Sequence, residues 1–202
     1  MVEVMEITKE DYKAEVQYES NGKTPDGNSF LTVKKARGYY EYSERGGKDS
    51  IAFILIDKNK EKYCLIDESK PPLDESLRCK VMLTTAFGGS IDMDKTQKEI
   101  CQIEVLEEAG YGVPLQNIHF VGKTLVSSQM SQICYLYAID VTGFEKTHLT
   151  EFEKVVSEDQ NKKDPSEFSN NSLVWMSLEE VMENNDWKSI FIITKAMYAK
   201  II

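Results

Sequence analysis

One stretch constrains this chain more than any other: Gly88-Gly89-Ser90-Ile91-Asp92, followed a dozen residues later by Glu104-Val105-Leu106-Glu107-Glu108-Ala109-Gly110. It reads as a tight glycine turn feeding an amphipathic helix. Asp94 or Thr96 stands where a cap is needed, and Gly110 stops the helix after Ala109. Glu104, Glu107 and Glu108 fall at i, i+3 and i+4, so an α-helix projects them from one side. Like charges this close repel by roughly a few tenths of a kcal/mol per exposed pair. A solvated acidic face would be the ordinary reading of such a run, but it leaves the upstream glycines unexplained. Crowded oxygen ligands suit a hard divalent cation such as Mg²⁺.

The same stretch resembles the Nudix box, G-x5-E-x7-R-E-U-x-E-E-x-G-U, in which U is a bulky apolar residue. The resemblance spans 23 residues, with Gly89, Glu104, Val105, Glu107, Glu108, Gly110 and Tyr111 at motif positions. Two positions depart. Lys95 stands where the family has its first Glu, and Ile103 where it has Arg. In the family those two lie close enough to pair, so losing both at once avoids stranding a buried charge. The double change therefore reads as a coordinated replacement, at the expense of one partner that orients Glu104.

The resemblance implies an α/β/α sandwich on a mixed sheet, with a β extension at the N-terminus. It also implies hydrolysis of a nucleoside diphosphate linked to another group. Metal ligands would be Glu104 and Glu108 first, then Glu107, with the Gly88 carbonyl. The cofactor would be Mg²⁺ or Mn²⁺. The proton acceptor stays open between a box glutamate and the later Glu151, Glu153, Glu158 and Glu167. A nucleotide-binding sensor on the same fold is the alternative, and Lys95 and Ile103 support it.

A second, more local likeness points to ADP-ribose and nucleotide-sugar pyrophosphatases. It lies in Arg45-Gly46-Gly47, in Leu65-Ile66-Asp67-Glu68-Ser69-Lys70-Pro71-Pro72, and in Trp175-Met176-Ser177-Leu178-Glu179-Glu180. On that basis Arg45, Glu68 and Lys70 are candidate substrate-binding residues. That subgroup usually has Arg at the Lys70 position, and lysine cannot copy arginine's bidentate grip on phosphate. It also often carries a glycine in the turn at Ser127-Ser128-Gln129-Met130-Ser131, where this chain has none. Its N-terminal strands often form dimers and sometimes contact adenine. Residues 1–45 are thus expected to be an extension that can pair two copies, and 46–202 the hydrolase domain. Phe30, Tyr39, Tyr40 and Tyr42 are read first as sheet-packing aromatics.

Composition narrows the classes further. At 202 residues and 41% hydrophobic, the chain holds enough apolar material for a core. A net charge of −10 argues against a broad nucleic-acid footprint. It also repels an anionic phosphate substrate unless a cation reverses the local sign. No apolar run is long enough to span a membrane. The acidic start, Met1-Val2-Glu3-Val4-Met5-Glu6, lacks the features of a signal peptide, so a cytoplasmic location is expected. Cys64, Cys79, Cys101 and Cys134 have no paired spacing, which disfavours zinc and a disulfide framework, and Cys64, Cys101 and Cys134 look like core residues.

Strand-like runs are expected at Phe30–Val33, Gly38–Tyr42, Ile51–Ile56, Tyr63–Ile66, Val81–Phe87, His119–Leu125, Ile133–Val141 and Leu173–Met176. The polar turn from Asp57 to Lys62 suggests a hairpin. Charged residues dominate 145–170, which reads as a long mobile loop. Ser177-Leu178-Glu179-Glu180 matches a capping box, and Trp187–Ile202 has helical apolar spacing.

Overall fold

The computed structural model describes residues 14–22, 27–36, 39–46, 48–69, 82–150 and 172–202. The chain forms two compact units. One comprises Met1–Asp49 with Thr124–Cys134, the other Ser50–Lys123 with Tyr135–Ile202. The fold is of the α/β class with a mixed sheet.

In the first unit, β1 (Glu15–Glu19), β2 (Thr32–Ala36) and β3 (Tyr40–Glu44) form an antiparallel meander. Sequence reading missed β1, because its five residues are all exposed and show no half-buried alternation. The aromatics there do not pack as expected. Phe30 is 53% exposed and Tyr39 75%. The tip of a hairpin made by β8 (Ile118–Ser127) and β9 (Met130–Asp140) belongs to this unit. It docks on β3, where Ser43 pairs with Met130 in parallel and the Ser43 N–H donates to the Gln129 carbonyl at 2.8 Å.

The second unit holds the core. Strand β4 (Ser50–Asp57) is buried from Ile51 through Asp57, so both its faces are covered. Ile51, Phe53 and Leu55 join a cluster with Ile100, Cys101, Val105 and Ala109 from the acidic helix, and with Tyr137 and Ile139 of β9. The alternate residues Ala52, Ile54 and Ile56 face the other way. Against β4 also packs the last helix, α3 (Trp187–Tyr198), with Ile192, Ile193 and Ala196 buried. The expected hairpin forms between β4 and β5 (Lys62–Ser69), closing with Asp57 opposite Lys62. Asp57 fixes the turn by accepting the Asn59 and Lys60 amides at 3.1 and 3.2 Å. Strand β10 (Ser172–Met176) pairs with the far edge of β5. It leads into the short helix α2 (Leu178–Met182), which opens with the expected Ser177–Glu180 capping box.

The expected strand Val81–Phe87 is two strands. β6 (Met82–Thr85) pairs with β5, and β7 (Phe87–Ser90) pairs with β4. The last helix stops at Tyr198 rather than running to Ile202, and Lys200 takes a left-handed conformation at φ 56°.

Candidate active site

Gly88 and Gly89 lie in strand β7 rather than in a turn, opposite Ala52 and Ile51 of β4. Phe87 just before them is fully buried and stacks on Phe53, with ring centroids 5.0 Å apart. Glycine within a strand marks a close approach, and here the approaching group is the Glu104 side chain. A Cβ on Gly89 would overlap the Glu104 carboxylate, whereas one on Gly88 would only touch the Ile51 carbonyl at 3.4 Å. The missing side chain at Gly89 makes the space that Glu104 fills.

Helix α1 (Gln97–Glu104) begins at Thr96, one of the two caps expected from sequence. The Glu99 amide donates to Thr96 Oγ1 at 3.3 Å, and the Thr96 amide donates back to Glu99 Oε2 at 2.9 Å. The Thr96 hydroxyl, donating to Glu99 Oε2 at 2.6 Å, and then the Thr96 amide hold the Glu99 carboxyl below the usual carboxylate range, with a smaller contribution from the Lys95 charge. Ile103 is half-buried.

The acidic segment departs from the expected geometry. Residues Val105–Ala109 form a π-helical turn instead of continuing the α-helix. In i→i+5 bonding each residue advances less around the axis. The regular α-helical spacing of the three acids therefore does not carry through Val105–Ala109. The Cys101 thiol, one turn earlier, senses this arrangement. Burial pushes its pKa up, and the charges of Glu104 and Glu108 push it further. Glu108 Oε2 is itself buried, so that carboxylate turns inward. Among the described residues, no three His, Cys, Asp or Glu side chains are placed to surround one ion.

Gly110 ends the π-turn in the left-handed region at φ 77°. The Thr147 and His148 amides donate to its carbonyl at 3.1 and 3.2 Å, so the segment after β9 clasps the end of the acidic helix. A Cβ at Gly110 would collide with the His148 carbonyl and lie 2.8 Å from Lys146 Cε.

Arg45 is an exposed residue of the first unit, and Glu104 belongs to the second. Glu68 on β5 accepts a hydrogen bond from Thr85 Oγ1 at 3.0 Å, next to the point where β6 gives way to β7. Lys70, Cys79, Glu151, Glu153, Glu158 and Glu167 lie outside the described residues. So does most of the 145–170 loop. Ser127–Ser131 forms the hairpin tip in the first unit, where Ser127 Oγ accepts the Gln129 amide at 3.1 Å.

Sequence reading overlooked Asp186. It caps α3 and its Oδ2 also accepts the Ala86 N–H at 2.8 Å. The available signal was an Asp directly before the apolar run that starts at Trp187.

A cavity of about 560 Å³ lies at the opposite end of β4, lined in part by Ile56, Asp57, Lys58, Tyr63 and Leu178. Five residues of strand, roughly 16 Å, separate Ile56 from the Ile51–Gly89 pairing. Two of its charged lining residues are paired locally, Asp57 with Lys60 at 2.8 Å and Lys58 with Asp140 at 2.9 Å.

Do the residues beside Gly89 suit the divalent cation that the acidic cluster suggests? Mg²⁺ keeps several waters and is commonly held by one or two carboxylates together with substrate phosphates. The Glu104 carboxylate, against the side-chain-free strand, and the Glu108 carboxylate four residues on are oxygen donors of the kind that requirement names.

No protein-family model matches this sequence, and no curated protein matches it. Solved structures do match. One is the crystal structure of an ADP compounds hydrolase, similar over 96% of this chain and 98% of its own, with a TM-score of 0.57 and 13% identity. A likeness at that identity is one of fold, and chemistry has to be argued from the site.

Proposed function

We propose that this chain hydrolyses the pyrophosphate linkage of a nucleoside diphosphate derivative, ADP-ribose or a nucleotide sugar, with Mg²⁺ or Mn²⁺. The observation that carries this reading is the contact between Gly89 and the Glu104 carboxylate. Fold likeness to a hydrolase of ADP compounds supports it. Glu104 and Glu108 hold the cation, the Gly88 carbonyl adds an oxygen, and Glu107 stands nearby. When bound, a divalent cation neutralises the diphosphate and lowers the pKa of coordinated water. Water attacks one phosphorus, and a nucleoside monophosphate leaves. The protein's share is to place charge in advance around the reacting phosphate. The proton acceptor is a carboxylate from the box or from Glu151, Glu153, Glu158 and Glu167. Arg45, Glu68 and Lys70 contribute to substrate binding in this reading, and the N-terminal strands pair two copies in the cytoplasm.

The test is turnover of a panel of ADP-ribose, nucleotide sugars and dinucleotides with Mg²⁺ or Mn²⁺, read by chromatography of the nucleotide products. Release of a monophosphate that stops on chelation is the expected result. A second reading, a sensor that binds the nucleotide without cleaving it, draws on Lys95 and Ile103. Calorimetry separates the two, since a sensor returns its ligand intact.

A further inference from the structure

We propose that Asp186 is a positioning residue that sets the place of Gly89 and, through it, the Glu104 carboxylate. The inference rests on the functional reading above. Its starting point is the change of partner between β6 and β7. Thr85 is the last residue paired to β5 and Phe87 the first paired to β4, which leaves Ala86 between two ladders. A residue at such an irregularity loses its strand partner and re-aims the chain that follows. Asp186 receives it. A single oxygen, Oδ2, accepts the Ala86 amide at 2.8 Å, the Ser189 amide at 3.1 Å and the Ser189 hydroxyl at 2.6 Å. Ser189 is fully buried and Ala86 is 5% exposed, so water competes little for these bonds. Charge-assisted bonds of this kind are short and directional.

Three residues beyond Ala86 the strand reaches Gly89, and Gly89 meets Glu104. A covalent and hydrogen-bonded path therefore runs from the start of α3 to the acidic face. If Asp186 served only as a helix cap, it would have no need of Ala86.

Three variants separate these roles. Asp186→Ser keeps a good capping side chain for Ser189 but is too short to hold Ala86 as well. Asp186→Asn keeps an oxygen where Oδ2 stands. Ser177→Ala removes the cap of α2, which has no tie to β7. Mn²⁺ affinity is measured by calorimetry, and amide exchange is followed at Gly88 and Gly89 by NMR. Asp186→Ser is expected to weaken Mn²⁺ binding about tenfold or more, the scale of outer-shell substitutions, and to speed exchange at both glycines. Asp186→Asn recovers most of both, and Ser177→Ala changes neither. Wild-type affinity in Asp186→Ser, or an equal loss in Ser177→Ala, overturns the proposal. If wild-type protein neither binds Mn²⁺ nor turns over nucleotide, the functional reading fails by itself. Exchange then decides alone: faster exchange at the glycines in Asp186→Ser but not Ser177→Ala supports the role, and unchanged exchange removes it.

Discussion

The Glu104 carboxylate occupies the place where Gly89 would carry a Cβ, so strand β7 and helix α1 meet through a side chain that is absent. The two residues lie on different elements, yet each specifies the other. Any side chain at Gly89 evicts the carboxylate, and any other orientation of Glu104 leaves Gly89 without a reason to be glycine.

Gly89→Ala should therefore separate function from stability. The atoms in the way belong to the flexible end of Glu104, which can rotate, and β7 tolerates alanine. Unfolding free energy should fall by about 1 kcal/mol or less, near the low end for overpacking. Affinity for Mg²⁺ should drop by about ten- to hundredfold, as when a ligand loses its orientation. Urea titration and calorimetry on the same preparation give both numbers. A large loss of stability with metal affinity intact would mean that Gly89 serves packing alone.

The proposed ligand set ranks the three acids. Glu104→Gln and Glu108→Gln each remove a proposed ligand, and each should lower turnover by at least about a hundredfold, the scale of one well-placed electrostatic group. Glu107→Gln should raise metal dissociation less, because Glu107 is the third ligand in this reading. Metal titration of the three variants provides the comparison. Equal losses of affinity in all three would make Glu107 an equal ligand.

The π-helical turn shows where sequence stops being informative. The spacing of Glu104, Glu107 and Glu108 gives one face only if 3.6 residues per turn persists, and nothing in Val105-Leu106-Glu107-Glu108-Ala109 announces a wider turn. Val105 and Ala109, at the two ends of that turn, are both buried in the core. Thr96, Gly110, Ser177 and the Asp57–Lys62 turn were legible because capping and turn chemistry is local. Strand β4 was legible because it is continuously apolar. The ladder switch at Ala86 was not, since it depends on which strand lies opposite. Asp186 is about a hundred residues from Ala86, and no local rule connects them.

Gly110→Ala tests the end of the acidic helix. Left-handed backbone costs an L-residue roughly 1–2 kcal/mol, and Gly110 sits at φ 77°. Its Cβ would also press on the His148 backbone, which is held by its own bond to the Gly110 carbonyl at 3.2 Å. Together these should remove roughly 2–5 kcal/mol, a large part of an ordinary domain's stability. Urea unfolding should show the midpoint falling sharply. A loss under about 1 kcal/mol would mean that the 146–148 segment yields readily.

His119 gives the last prediction, in pH. Burial holds its imidazole below the ordinary value of 6.5, with the Lys58 and Lys98 charges acting the same way and Asp140 opposing them. A depressed histidine pKa means the folded state prefers the neutral ring. Between the folded and unfolded values the unfolded chain binds more protons, so stability rises with pH there. The contribution is complete above about 6.5 and disappears as pH falls through the lower folded value. Asp57 acts in a separate window. The Lys60 ammonium holds its carboxyl below 3.8, so its contribution persists until the solution is more acidic than that. Melting temperatures from pH 7.5 to 4.5 should decline in the wild type and decline less in His119→Gln. Identical profiles would show that the imidazole reaches solvent equally well in both states.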